Sequence, residues 1–139
     1  MKVMAIDYGD ARTGVAISDP TGLMAGFTTV IHSHSPQEVV RQLCELAGVH
    51  GAQRLVMGYP RNMDGTEGPR AELYRDFAKA LEAAVGQEVV LWDERRTTVD
   101  AHRILTETGN RGKKRKDKVD AVAASLILEG YLAFLRNNS

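Results

Sequence analysis

Acidic side chains follow two apolar stretches of this sequence, at the point where each predicted strand ends. Asp7 follows the run VMAI at positions 3–6, and the pair Asp93 and Glu94 follows the run EVVLW at 88–92. Aspartate is depleted in strands, and a buried carboxylate without a partner is costly, so these acids need a compensating group. If the two strands run parallel, their acids meet at one edge of the sheet, where ligands bind in open α/β folds.

Two more acids, Asp117 and Asp120, lie three residues apart at the predicted start of the last helix, so both can face one direction. Cys44 is the only cysteine and the four histidines are scattered, so the candidate ligands are carboxylate oxygens. Such a set suits Mg²⁺ or Mn²⁺ rather than zinc, and two such cations can promote phosphodiester cleavage. The alternative for this pair is helix capping, because acids in a first turn suit the helix dipole.

The turn after Asp7, YGDAR at positions 8–12, has its own alternative interpretation. Gly9 and Gly14 are expected to permit a tight turn and the close approach of a phosphate. In a phosphate-cradling hairpin, Asp7 would coordinate the magnesium of a bound nucleotide, as in sugar kinases and actin-like ATPases. Those proteins need two such halves and a much longer chain, which disfavours this interpretation.

The composition is that of a soluble globular protein, with 43% hydrophobic residues, 26% charged residues and a formal net charge of zero. At 139 residues the chain predicts one domain, 1–139, with a core of its own. It has no apolar run of the roughly 20 residues that cross a membrane, and no secretory signal segment. We therefore expect a cytoplasmic protein without a membrane partner.

Positive charge is concentrated in the segment 111–118, RGKKRKDK, which holds six basic residues and one acid. Local positive potential is what phosphate binding needs, even where the whole chain is neutral. A solvated basic loop without a ligand is the alternative interpretation. The predicted nucleic-acid contacts are Arg12, Arg61, Asn62, Arg95, Arg96, Lys113, Lys114, Arg115 and Lys116.

Hydrophobic periodicity and turn residues predict the order of the secondary-structure elements. Strands are expected at 2–7, 13–18, 27–32, 54–59 and 88–93. Helices are expected from the Ser35 cap to Gly48 or Gly51, over 69–85, from Thr97 or Thr98 to Gly109, and over 119–135. Three leading strands followed by alternating helices and strands predict an α/β fold with a mixed five-stranded sheet flanked by helices.

Four segments resemble the signature blocks of a known family when they are taken together and in order: AIDYGDARTGVAISD, VMGYPRNMDGTEG, DERRTTVDA and KVDAVAASLILEGYL. They closely resemble the YqgF (RuvX) family, which is related to the RuvC Holliday junction resolvases. The resemblance implies an RNase H-like fold whose first three strands are antiparallel. It also implies a nuclease that processes the 5′ end of pre-16S rRNA in ribosome biogenesis.

The resemblance also implies roles for the acids. Asp7 matches the first-strand metal ligand of the family, Glu94 the second acid and Asp120 the acid of the last helix, so these three are the expected catalytic residues. Asp117 resembles the paired acid of the RuvC branch and completes the expected metal set. The wider superfamily carries its second acid on the fourth strand, whereas here it follows the fifth, and the longer reach of glutamate favours Glu94 over Asp93.

Three functions stay open from the sequence. The first is a Mg²⁺- or Mn²⁺-dependent endonuclease acting on structured RNA, the pre-rRNA. The second keeps the chemistry but acts on branched DNA, a four-way junction whose symmetric resolution requires a homodimer. The third is a non-catalytic nucleic-acid-binding module that uses the basic segment. No motif separates RNA from DNA, because residues that read a 2′-hydroxyl have no sequence signature here.

Overall fold

The computed structural model describes residues 1–22, 24–59, 70–93 and 112–137, with side chains of the last range from Asp117 onward. The elements in these ranges are β1 (Val3–Asp7), β2 (Arg12–Ser18), β3 (Ala25–His32), α1 (Pro36–His50), β4 (Arg54–Tyr59), α2 (Ala71–Val85), β5 (Val89–Asp93) and α3 (Gly112–Asn137). Residues 60–69, which follow β4, and the predicted helix ending at Gly109 lie outside the described residues.

The five strands form one mixed sheet in the order β3-β2-β1-β4-β5. Strand β2 pairs antiparallel with both β1 and β3, whereas β1, β4 and β5 run parallel. The predicted sheet, with an antiparallel first half, is therefore confirmed. The division of the chain into a single domain stays a prediction.

Helices cover both faces of the sheet, and the alternation of side chains along each strand decides which residues meet which helix. Met4 and Ile6 of β1 pack into a core shared with α1 and α2, whereas Val3 and Ala5 pack under α3. Residues 3–6 are all apolar because both faces of β1 are buried. By the same alternation Asp7 falls on the α3 face.

Helix α1 begins and ends at the predicted signals. Ser35 is its N-cap, and the Glu38 N–H donates to Ser35 Oγ over 3.3 Å. Gly51 follows the helix with a φ of 69°, a left-handed conformation that favours glycine, and its N–H donates to the Ala47 carbonyl. Of the two predicted ends, Gly51 is therefore the observed one.

Helix α2 buries a slightly different stripe from the one that its apolar spacing predicts. The spacing of Leu73, Phe77 and Leu81 predicts Leu73 on the apolar face, but Leu73 is 45% exposed, because its neighbour Tyr74 takes the buried position. Leu73 instead lines a groove between α1 and α2, together with Val40 and Phe77. The amphipathic period was correct, but its phase was shifted by one residue at this position.

Helix α3 begins at Gly112, seven residues before the predicted start at Val119. Lysine and arginine are good helix formers, so the basic segment extends the buried apolar helix instead of forming the loop that was considered as an alternative. Asp117 and Asp120 consequently lie beyond the first turn, which contains no acid, and the capping interpretation is wrong. No helix in the described ranges is long and apolar enough to cross a membrane.

The backbone of α3 touches the sheet at Gly14 of β2. A β-carbon on Gly14 would overlap the carbonyl oxygen of Asp120. Gly14 lies inside β2, as the strand predicted at 13–18 requires, and pairs with Asp7 of β1. The turn glycine is Gly9, where a β-carbon would overlap the carbonyl oxygen of Arg12. Gly14 thus lets a helix, rather than a loop, lie directly against the strand.

We expect Gly14→Ala to lower the free energy of unfolding by about 1–3 kcal/mol, because the α3 backbone must move to admit the methyl group. Urea unfolding followed by circular dichroism measures this change. Gly48→Ala in α1 is the matched control: its added β-carbon meets nothing within 4 Å. That variant should be more stable by roughly 0.5–1 kcal/mol, because alanine is the better helix former. Parent-like stability of Gly14→Ala would contradict the packing.

Candidate functional site

Predicted metal ligands converge at the edge of the sheet where β1 ends. Asp7 pairs across the ladder with Gly14, and Gly14 in turn touches the backbone of Asp120. Asp7 and Asp120, which are far apart in the sequence, therefore flank one glycine on the α3 face. Asp117 lies on the preceding turn of the same helix. Glu94, the remaining predicted ligand, lies outside the described residues.

Asp120 is paired with a cation from the neighbouring strand. Arg12 Nε donates to Asp120 Oδ2 over 2.7 Å, and the two side chains are 33% and 16% exposed. Burial raises the pKa of Asp120, as does the nearby charge of Asp117, and the hydrogen bond from Arg12 only partly offsets this rise. Arg12 thus supplies part of the compensation that the buried carboxylate needs. Its predicted phosphate contact stays a prediction.

Asp117 contacts the end of β3. His32 Nε2 lies 3.1 Å from Asp117 Oδ2. Arg12 of β2 and His32 of β3 lie opposite each other in the sheet. They therefore contact two acids that are three residues apart on α3. Sequence reasoning set the four scattered histidines aside, and it missed this contact because the position of β3 beside α3 has no local signal.

Strand register shows on which face of the sheet Asp93, the last residue of β5, lies. Ile6 pairs with Met57, and Gly58 pairs with Trp92, so continuing the β1–β4 register by one residue places Asp7 at the level of Gly58 and Trp92. Trp92 packs against α3, so the next residue, Asp93, falls on the opposite face. Asp93 is therefore separated from the acids on the α3 face, and Glu94 is left as the predicted second acid.

The acids of this edge have the chemistry of a Mg²⁺ or Mn²⁺ site. Asp7, Asp117 and Asp120 offer carboxylate oxygens, and Asp117 Oδ1 is buried without a hydrogen-bond partner among the described residues. Within the same residues, no three His, Cys, Asp or Glu side chains are grouped closely enough to hold a metal ion. The carboxylate oxygens and the unpartnered Asp117 Oδ1 suit a divalent cation in type, and the predicted fourth ligand, Glu94, lies outside the described residues.

Helix α3 carries the basic segment to the same edge. Arg54, at the start of β4, donates to Tyr131 Oη over 3.1 Å, so α3 runs from the acidic edge to the opposite one. Its residues before Asp117 extend beyond the acids, with a rise of about 1.5 Å each. The predicted contacts on these turns are Lys113, Lys114, Arg115 and Lys116. The predicted contacts outside the described residues are Arg61, Asn62, Arg95 and Arg96.

The sheet order, the helices on both faces and the acid at the end of β1 define an RNase H-like fold. The RuvC protein of Thermus thermophilus, solved in complex with a Holliday junction substrate, is similar to this chain with a TM-score of 0.59. The two are 14% identical, and the similarity covers 97% of this chain and 96% of RuvC. At this identity the similarity establishes the shared fold.

Sequence comparison assigns the family. The RuvX family model, described as Holliday junction resolvase, matches residues 1–134. A relative from Halothermothrix orenii is 45% identical over 96% of each chain. One from Carboxydothermus hydrogenoformans is 44% identical over 99% of this chain and 100% of the relative. Both are named "Putative pre-16S rRNA nuclease". The chain belongs to the RuvX family, as its signature segments predicted.

The ion pair between Arg12 and Asp120 should be measurable in a double-mutant cycle. We expect Arg12→Gln and Asp120→Asn to show a coupling of about 1–2 kcal/mol in the free energy of unfolding, because the pair is partly buried and charge-assisted. The exposed pair of Arg70 and Asp10 is the matched control, with a clearly weaker expected coupling because solvent screens it. Equal couplings for the two pairs would contradict a special role for burial at Asp120.

Proposed function

We propose that this protein is a divalent-metal-dependent endonuclease that processes the 5′ end of pre-16S rRNA in the cytoplasm. The observation that carries the proposal is the placement of Asp7 and the Asp120 backbone on either side of Gly14, at the sheet edge where ligands bind in α/β folds. Family membership and the names of relatives at 44–45% identity support the nuclease activity and its substrate.

The proposed catalytic residues are Asp7, Glu94 and Asp120, which hold Mg²⁺ or Mn²⁺ together with Asp117. When bound, the cation supplies the positive charge that phosphodiester hydrolysis requires at the scissile phosphate. Arg12 favours the ionised form of Asp120 and orients its carboxylate through Oδ2. His32 contacts Asp117 Oδ2, so the buried Oδ1 stays available to bind the cation.

The basic residues provide the binding surface for structured RNA. Lys113, Lys114, Arg115 and Lys116 lie on the turns of α3 that precede the acids, so the backbone of a bound strand passes them on its way to the metal site. The predicted contacts Arg12, Arg61, Asn62, Arg95 and Arg96 extend the surface. With eight aromatic residues in the chain (one Trp, four Tyr and three Phe), binding by charge and shape is favoured over base stacking.

Asp7→Asn should reduce cleavage of a precursor RNA at least about 100-fold, because it removes a direct metal ligand, whereas losing even an outer-shell partner costs 10–100-fold. Labelled RNA carrying the 5′ leader is incubated with Mg²⁺, Mn²⁺ or EDTA, and products are separated on a denaturing gel. Asp93→Asn is the matched control, because Asp93 ends a strand at the same edge but on the other face. It should cleave within about threefold of the parent.

Two results of this assay would contradict the proposal. If Asp7→Asn cleaves as fast as the parent, Asp7 is not a metal ligand. If the parent binds the RNA equally in EDTA and in Mg²⁺ and cleaves it under neither condition, the protein is the non-catalytic nucleic-acid-binding module. Circular dichroism of each variant shows whether a lost activity reflects a lost fold.

A Holliday junction resolvase is the second candidate, and the description of the matching family model favours it. Symmetric resolution requires two active sites, so this function predicts a homodimer on the junction. The leader RNA and a mobile four-way DNA junction are cleaved side by side, and the bound stoichiometry is measured by sedimentation. We expect cleavage of the RNA; paired symmetric nicks in the junction alone, by a dimer, would establish the resolvase instead.

A further inference from the structure

Arg12 uses only part of its hydrogen-bonding capacity on Asp120. A guanidinium carries five N–H donors in a fixed fork, and Arg12 reaches the carboxylate through Nε. Among the described residues, Asp120 is its one hydrogen-bond acceptor, and a third of its side chain is exposed. Within the described part of the chain, the donors on Nη1 and Nη2 are therefore available to an acceptor that arrives with a ligand.

Asp120 is likewise bound through one of its two oxygens. Oδ2 accepts from Arg12, while Oδ1 accepts no hydrogen bond from the described residues. A cation bound through Oδ1 leaves the contact with Arg12 intact. Asp120 can thus join Arg12 and the cation in one chain of contacts.

We infer that Arg12 is a positioning residue that couples the binding of the metal ion to the binding of the nucleic-acid backbone. Its Nε holds Asp120 beside the cation, and its Nη groups bind a non-bridging oxygen of the phosphate that approaches the same cation. This inference rests on the proposed metal site and adds a route by which the substrate affects the affinity of that site. A bidentate guanidinium is suited to this geometry because its donors are coplanar and preorganised.

The coupling has a thermodynamic signature. If bound nucleic acid raises the affinity for the metal ion by a given factor, the bound metal ion raises the affinity for nucleic acid by the same factor. A purely structural Arg12 would change the stability of the protein but leave this factor unchanged. The factor itself, measured without catalysis, therefore tests the inference.

Arg70, the N-cap residue of α2, provides a matched control because it contacts the turn that precedes Arg12. Its two terminal nitrogens donate to Asp10, over 2.6 and 3.1 Å, at the turn between β1 and β2. This fork is already occupied, and Asp10 is not among the predicted ligands. Arg70→Gln therefore makes the same chemical change as Arg12→Gln without touching Asp120.

The experiment measures the dissociation constant of Mn²⁺ from the electron paramagnetic resonance signal of the free ion, with and without a saturating phosphorothioate hairpin RNA. A gel of the RNA afterwards shows that it is intact. We expect the hairpin to lower the dissociation constant of Mn²⁺ about tenfold or more in the parent and in Arg70→Gln, but less than about threefold in Arg12→Gln. Arg12→Lys, which keeps the charge but lacks the fork, should recover little of the coupling.

The outcomes separate this inference from the proposed function. If the parent binds Mn²⁺ no better than Asp120→Asn, the metal site itself is wrong and the inference fails with it. If the parent binds Mn²⁺ at Asp120 but Arg12→Gln keeps the full coupling, the proposed function stands and the inference is wrong. Full coupling in Arg12→Lys would also overturn it, because charge alone would then suffice.

Discussion

The contact between Gly14 and the α3 backbone is the constraint on which the candidate site depends. Because Gly14 has no side chain, the helix lies directly on β2, and Asp120 reaches the level of Asp7 on the adjacent strand. Any larger residue at this position would separate helix and sheet at the point where Asp120 lies beside Gly14. The absence of a side chain at Gly14 therefore sets the distance between α3 and β2 at the candidate site.

Gathering acids at this edge is unfavourable before any ligand binds, because like charges repel and burial disfavours ionisation. The structure offsets part of this cost with Arg12 and His32, which contact Asp120 and Asp117 from two paired strands. Compensation from one side leaves other carboxylate oxygens available, as the buried Asp117 Oδ1 illustrates. Gathering these acids therefore lowers the stability of the folded protein, and a divalent cation bound by their carboxylates would restore it.

Local patterns in the sequence predicted the strands, their parallel or antiparallel directions and the end of α1, since each depends on periodicity, caps and turn residues. The same reasoning misplaced the start of α3, because a run of basic residues is compatible with both a helix and a loop. It also missed the contacts of His32 and Gly14. These contacts depend on which strand lies beneath α3, and only the assembled sheet determines that.

The sheet topology supports the prediction of Glu94 over Asp93 for a different reason from the one drawn from the sequence. The sequence argument preferred Glu94 for its length, since the acid had to reach across β4. The register makes the side of the sheet the stronger criterion: Trp92 shares the α3 face with Asp7, so Asp93 is directed toward α2. A longer side chain at position 93 would still lie on the face opposite Asp7. The next acid along the chain, Glu94, therefore stays the predicted ligand.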